Sequence, residues 1–111
     1  MHKVKVEQFE GPLDLLLQLI EQQKLEITQV SLAQVTEQYI QILNQSAKQS
    51  INTSELADFL VVAARLLLIK SRALLPFLDW GDDDADAEED LTRQLKIYKQ
   101  YLDASKVIQG L

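Results

Sequence analysis

Apolar residues recur at helical spacing through most of the chain. In residues 13–20, six of eight positions are leucine or isoleucine, and Leu13, Leu16, Leu17 and Ile20 fall on one stripe. Gly11-Pro12 precedes this segment, and proline is tolerated at the first helical position. Residues 31–44 place apolar and glutamine-rich positions on opposite sides, which predicts a second amphipathic helix. Its Ser31-x-x-Gln pattern predicts a capping box that begins at residue 31.

The stretch 54–75 predicts a third helix that is apolar on nearly all sides. Ten of the eleven residues in 59–69 are apolar, and Pro76 ends the pattern. No single neighbouring helix covers such a surface. Two explanations stay open: a central helix wrapped by the others, or a helix that lends one face to another protein.

A membrane span does not explain this stretch. Asp58, Arg65, Lys70 and Arg72 lie within it. Each charge at the bilayer centre costs about 2.5–3.5 kcal/mol, whereas each leucine contributes only tenths. The balance excludes insertion.

The two ends of the chain complete the predicted fold. Residues 3–9 alternate between polar and apolar positions, which predicts a short strand that would pair with residues 25–30. A last helix is predicted over residues 88–108. The expected fold is mainly α, a small bundle of about four helices with a short N-terminal β-strand.

Acidic residues are concentrated between the third and last helices. Residues 79–90 carry eight of the 17 acids and none of the 11 bases of a chain with net charge −6. Such a run is expected to repel itself and stay extended as a linker. Phe77, Leu78 and Trp80 are expected to anchor its start to the core.

The acidic run does not match a calcium-binding loop. Asp82, Asp84 and Asp86 fit the first three ligand positions of an EF-hand, but the required glycine is Ala87 and the required bidentate acid is Arg93. We therefore expect no metal site.

The inventory of reactive side chains argues against an enzyme. His2 is the only histidine, cysteine is absent, and the three glycines lie far apart, so neither a nucleophile–base pair nor a phosphate loop is indicated. We expect no cofactor. The helix over 31–44 has no lysine or arginine, which disfavours direct contact with nucleic acid. The lack of cysteine suits a reducing cytoplasm.

Four blocks of the sequence, in order, resemble one family. They are Phe9-Glu-Gly-Pro-Leu-Asp-Leu-Leu-Leu-Gln-Leu-Ile20, Glu26-Ile27 with Val35-Thr-Glu-Gln-Tyr39, Phe59–Arg72, and Ala73-Leu-Leu-Pro76. They resemble the N-terminal domain of segregation and condensation protein A (ScpA), the prokaryotic kleisin subunit of SMC complexes. The winged-helix domain that closes the family's C-terminus has no counterpart in this sequence.

The resemblance implies a division of the chain and a function. Residues 1–78 would form the kleisin N-terminal domain, 79–90 an acidic linker, and 91–111 the helical start of the middle region. The implied function is non-enzymatic: binding to the SMC coiled-coil neck and, through the middle region, to a ScpB dimer. Such a subunit would act in chromosome condensation and segregation, in the cytoplasm at the nucleoid, without direct contact with nucleic acid or membrane.

The resemblance also suggests contact residues. Those expected at the SMC neck are Tyr39, Ile42, Leu43, Leu60, Ala63, Ala64, Leu67, Leu68 and Ser71. Those expected at ScpB are Tyr98, Lys99 and Tyr101. For each residue, packing within its own domain is the competing explanation. A further alternative is a homo-oligomer in which the third helix forms the dimer seam.

Overall fold

The computed structural model describes residues 9–47, 53–78 and 82–109. In these ranges the chain forms four helices: α1 Pro12–Gln22, α2 Gln29–Ala47, α3 Thr53–Leu74 and α4 Asp82–Gln109. The predicted helical bundle is confirmed. The strand predicted over residues 3–9 lies almost wholly outside the described residues.

The segment after α1 is a connection between helices and not the predicted second strand. Lys24 has a left-handed φ of 57°. Its N–H donates to the Glu21 carbonyl at 3.0 Å, and the Leu25 N–H donates to the Ile20 carbonyl at 3.0 Å. This pair of bonds is the Schellman motif that ends a helix and reverses the chain. The strand prediction over residues 25–30 was therefore wrong.

Thr28, not Ser31, caps the start of α2. The Thr28 Oγ1 accepts a hydrogen bond from the Ser31 N–H at 3.1 Å, and its hydroxyl donates to the Ser31 Oγ at 3.0 Å. Ser31 itself is buried in the first turn. The predicted capping box at Ser31 is therefore wrong: α2 begins two residues earlier, and Thr28 caps an N–H group of its first turn instead.

Helices α2 and α3 form an antiparallel pair at the centre of the bundle. The Tyr39 hydroxyl donates to the Phe59 carbonyl at 2.8 Å, and their rings stack with centroids 6.5 Å apart. Two turns further along α3, the Thr36 hydroxyl lies 3.5 Å from the Leu66 carbonyl. Buried leucines of α1 and α4 complete one continuous core.

Helix α4 begins at Asp82, six residues before its predicted start. The expectation of an extended acidic run is wrong from that residue onward. Acidic residues are favoured in the first turn of a helix, where the free N–H groups carry partial positive charge, and Ala85 and Ala87 are strong helix formers. These preferences outweigh the mutual repulsion of the acids.

The connection between α3 and α4 starts with an exposed apolar turn. The Leu75 N–H donates to the Ser71 carbonyl at 2.9 Å, and the Leu78 N–H donates to the Leu75 carbonyl at 3.3 Å. Phe77 is 79% exposed, and Leu78 is also exposed. The expected anchoring of Phe77 and Leu78 to the core is therefore wrong, and Trp80 lies outside the described residues.

Candidate protein-binding surfaces on α3 and α4

Helix α3 has apolar residues on two sides: one side packs into the core, and the other faces solvent. Its inner side is buried in the core and consists of Phe59, Val62, Ala63, Leu66 and Ile69. Its outer side carries a second apolar row at spacings of three and four residues, which we name the outer α3 seam: Ala57, Leu60, Ala64, Leu67, Ser71 and Leu74.

The outer α3 seam is open to solvent. Leu60 is 50% exposed, Leu67 51% and Leu74 67%. The intervening positions are the small residues Ala57, Ala64 and Ser71. Alternating steps of three and four residues keep a row on one side of a helix over several turns, as in the seam of a coiled coil. Small residues beside the leucines permit close approach of a partner helix.

The predicted neck-binding residues divide into three groups. Leu60, Ala64 and Leu67 are exposed residues of the outer α3 seam. Ser71 of the seam is half-buried, as are Ile42 and Leu68 outside it. Tyr39, Leu43 and Ala63 lie in the core, with at most 5% of each exposed. A partner cannot touch this last group without opening the bundle, so the structure assigns them to packing between the helices.

Leu74 and Ala57 extend the exposed surface beyond the predicted residues. Neither residue was among those expected at the SMC neck, and both are exposed. The buried residues Phe59, Val62, Leu66 and Ile69 have the same three-four spacing, so spacing alone does not separate the exposed row from the buried one.

A polar contact between α3 and α2 lies beside the outer α3 seam. The Lys70 Nζ donates to the Glu37 carboxylate at 2.6 Å and joins α3 to α2. This hydrogen bond, together with the positive charge of Lys70, lowers the pKa of Glu37. The pair marks the polar boundary between the outer seam and the surface of α2.

Helix α4 also has a buried side and an exposed apolar side. Leu91 and Leu95 are fully buried, and Tyr98 and Leu102 are partly buried against the core. A second row is exposed, which we name the outer α4 row: Ile97, Tyr101, Ala104 and Ile108. Ile97, Tyr101 and Ile108 are between 58% and 71% exposed.

The three residues predicted to bind ScpB do not share one environment. Lys99 and Tyr101 are exposed. Tyr98 points instead to the start of α1, where its hydroxyl donates to the Asp14 carboxylate at 3.3 Å. Burial, then the negative charges of Asp14 and Glu10, raise the pKa of Tyr98 to about 12.

Other kinds of site find little support in the described ranges. Within residues 9–47, 53–78 and 82–109, the acidic and histidine side chains form no group of three or more that is suited to a metal ion. Among the same residues, no helix has both the length and the apolar character needed to cross a bilayer.

A helical bundle with two exposed apolar rows is typical of a protein-binding module. The family model for segregation and condensation protein ScpA matches residues 19–111. The chain belongs to this family, as its sequence motifs predicted.

Curated relatives agree with the family assignment. The chain is 38% identical over 109 residues to segregation and condensation protein A of Brevibacillus brevis, covering 90% of this chain and 42% of the relative. It is 43% identical over 100 residues to that of Ligilactobacillus salivarius (87% and 38%) and 39% identical over 111 residues to that of Bacillus subtilis (95% and 43%). The chain thus spans less than half the length of the relatives it matches.

Proposed function

We propose that this chain is the SMC-binding part of a prokaryotic kleisin, a non-enzymatic subunit that acts in chromosome condensation and segregation at the nucleoid. The single observation that carries the proposal is the outer α3 seam. Its three-four spacing and alternation of leucine with small residues suit a coiled-coil partner, and the SMC neck is a coiled coil.

The energetics favour docking without unfolding. The core beneath the seam is closed by Phe59, Leu66 and Ile69, so a partner adds a layer and displaces nothing. Complete burial of a leucine contributes about 1.5–3 kcal/mol, and because the three leucines are still 50–67% exposed, each would add roughly 1–2 kcal/mol. Three leucines in one row supply a substantial part of a micromolar affinity, which needs about 8 kcal/mol.

The outer α4 row is the proposed contact for ScpB. Ile97, Tyr101 and Ile108 offer an exposed apolar row, whereas Lys99, two residues from Ile97 and from Tyr101, is exposed on another side of the helix. Tyr98 is proposed as a residue that holds α4 against α1, because its hydroxyl is bonded to Asp14. Of the three residues predicted from sequence to bind ScpB, Tyr101 belongs to this row, and the proposed contact extends from it to Ile97 and Ile108.

Calorimetric titration with the cognate SMC head-plus-neck piece tests the proposal. We expect one-to-one binding with a negative heat-capacity change, as apolar burial requires. Leu67→Glu places a charge in the middle of the seam and should abolish this binding. A Leu67→Glu protein that folds and still binds the SMC piece normally would exclude the outer α3 seam as the contact.

A crossed pair of variants separates the two surfaces. Ile97→Glu makes the same chemical change on an exposed residue of α4. It should leave SMC binding intact and weaken ScpB binding, whereas Leu67→Glu should do the reverse. Sedimentation velocity of the free chain over a wide concentration range tests the homodimer alternative, which requires a concentration-dependent dimer.

A further inference from the structure

A cleft of about 480 Å³ opens where the start of α1 meets α3 and α4. Leu13, Val61 and Val62 give it apolar walls, and Glu10, Asp14 and Asp58 contribute carboxylates. A narrow space with apolar walls and a few polar groups is the usual form of a site that receives a side chain or ligand. None of the residues proposed above for contact with SMC or ScpB lines this cleft, whereas Tyr98, proposed to hold α4 against α1, does.

The charge of the cleft is negative. Three carboxylates and one guanidinium, that of Arg65, line it. The guanidinium is already engaged, because its Nη1 lies 3.9 Å from the carboxylate of Asp90 on α4. Among the described residues that line the cleft, carboxylates therefore outnumber basic groups by three to one.

The carboxylates of the cleft differ in how many hydrogen bonds they accept from the chain itself. Asp14 accepts hydrogen bonds from the Glu10 N–H, the Gln18 side chain and the Tyr98 hydroxyl, so it serves mainly to hold α1 and α4 together. Asp58 is exposed and, within the described part of the chain, forms no ion pair. Burial, then the negative charges of Asp14 and Glu10, raise the pKa of Tyr98, whose side chain lines the same cleft.

The cleft adjoins the outer α3 seam. Val61 forms part of its wall, is 54% exposed, and neighbours Ala57 and Ala64 of the seam on the helix surface, since it lies four residues after the first and three before the second. Asp58 lies one turn earlier on the same side as Val61. A helix packed along the seam would therefore pass the mouth of the cleft.

We propose that this cleft receives a lysine or arginine side chain from the helix that docks on the outer α3 seam. The methylene stem would pack on Val61, Val62 and Leu13, and the cationic head would meet Asp58 and Glu10, as long basic side chains do at the edge of apolar surfaces. The contact would fix the register of the coiled coil along α3, because only one position of the partner brings its cation to the cleft. This inference rests on the proposed function.

The test compares charge reversal inside and outside the cleft. Asp58→Lys reverses one charge at the cleft, and Asp103→Lys makes the same change at an exposed position of α4 away from it. With the cognate SMC head-plus-neck piece as probe, we expect Asp58→Lys to weaken binding by roughly tenfold or more and Asp103→Lys to leave it within about twofold. The loss should shrink as salt is raised, because salt screens the repulsion.

A rescue experiment identifies the partner side chain. Each lysine or arginine of the neck helices is changed to glutamate in turn and titrated against the Asp58→Lys chain. The inference predicts that one reversal restores the affinity. A loss that no single reversal restores would indicate general repulsion and overturn the inference.

The outcomes separate this inference from the proposed function. If Leu67→Glu abolishes binding and Asp58→Lys does not weaken it, the cleft takes no cation while the seam contact stands. If the unmodified chain fails to bind the SMC piece, the proposed function and this inference fail together.

Discussion

Tyr39 joins the two central helices through both parts of its side chain. It is fully buried, its ring stacks on Phe59, and its hydroxyl donates to the Phe59 carbonyl at 2.8 Å. Tyr39→Phe keeps the ring and removes the hydrogen bond, so we expect a loss of about 1 kcal/mol in the free energy of unfolding, measured by urea denaturation. Tyr101→Phe, at an exposed position, is the control and should change nothing. Equal stability of Tyr39→Phe and the unmodified chain would contradict the prediction.

The buried tyrosines also predict loss of stability in alkali. Burial raises the pKa of Tyr39, and burial with nearby carboxylates raises that of Tyr98 to about 12, from an ordinary value of 10.0. The folded state thus holds these protons more tightly than the unfolded state. Their contribution is complete below pH 10 and falls as the pH rises from 10 towards 12.

Tyr98→Phe tests this pH dependence. The variant should show a shallower decline in the free energy of unfolding between pH 10 and 12 than the unmodified chain, in parallel urea titrations. Comparison of the two proteins cancels the lysines that titrate in the same range. Identical slopes would mean that Tyr98 does not hold its proton more tightly in the folded state.

Among the helix ends, the residue that terminates α1 has a strained backbone. Lys24 has a φ of 57°, which costs a residue with a Cβ more than it costs glycine. Lys24→Gly should therefore raise the free energy of unfolding by about 0.5–1 kcal/mol, net of the greater chain entropy of glycine. Lys24→Ala keeps the Cβ and removes the charge, so it should show no such gain. Thermal denaturation of the unmodified chain and the two variants measures these differences, and a Lys24→Gly protein no more stable than Lys24→Ala would contradict the prediction.

Helix positions were predictable from sequence where one physical signal dominated. The dense leucines of α1 and the Pro76 that follows α3 defined those two helices well. The start of α2 was misplaced because Thr28 and Ser31 are both good capping residues, and only the backbone shows which one precedes the first turn. The start of α4 was missed because repulsion between acids was weighed above their preference for a helix N-terminus.

The candidate site was predictable only in part. An α3 that is apolar all round indicated that one side needs a partner, but it did not show which side. That choice depends on how α2 packs on α3, through contacts such as Tyr39 with Phe59 that join distant parts of the chain. Residues such as Ala63 and Ala64 are identical in type, and tertiary packing alone buries the first and exposes the second.

At the scale of the whole molecule, α4 is part of the core and not only a continuation beyond it. Leu91 and Leu95 are fully buried in the same cluster as Leu16, Leu17 and Ile20 of α1. The Tyr98–Asp14 hydrogen bond and the Arg65–Asp90 ion pair add polar ties to α1 and α3. The N-terminal domain predicted from sequence ends at residue 78, and such a domain would lack the packing of α4 against its core.

Leu95→Ala tests how far α4 contributes to a single folding unit. Truncation of a fully buried leucine costs about 2–5 kcal/mol, so the variant should lower the midpoint of one cooperative thermal transition. Ile97→Ala, two residues along and 58% exposed, should change stability by no more than about 0.5 kcal/mol. If α4 instead docks on an independently stable domain of residues 1–78, Leu95→Ala would release α4 alone. Helicity measured by circular dichroism would then fall in two steps, and the main transition would keep its midpoint.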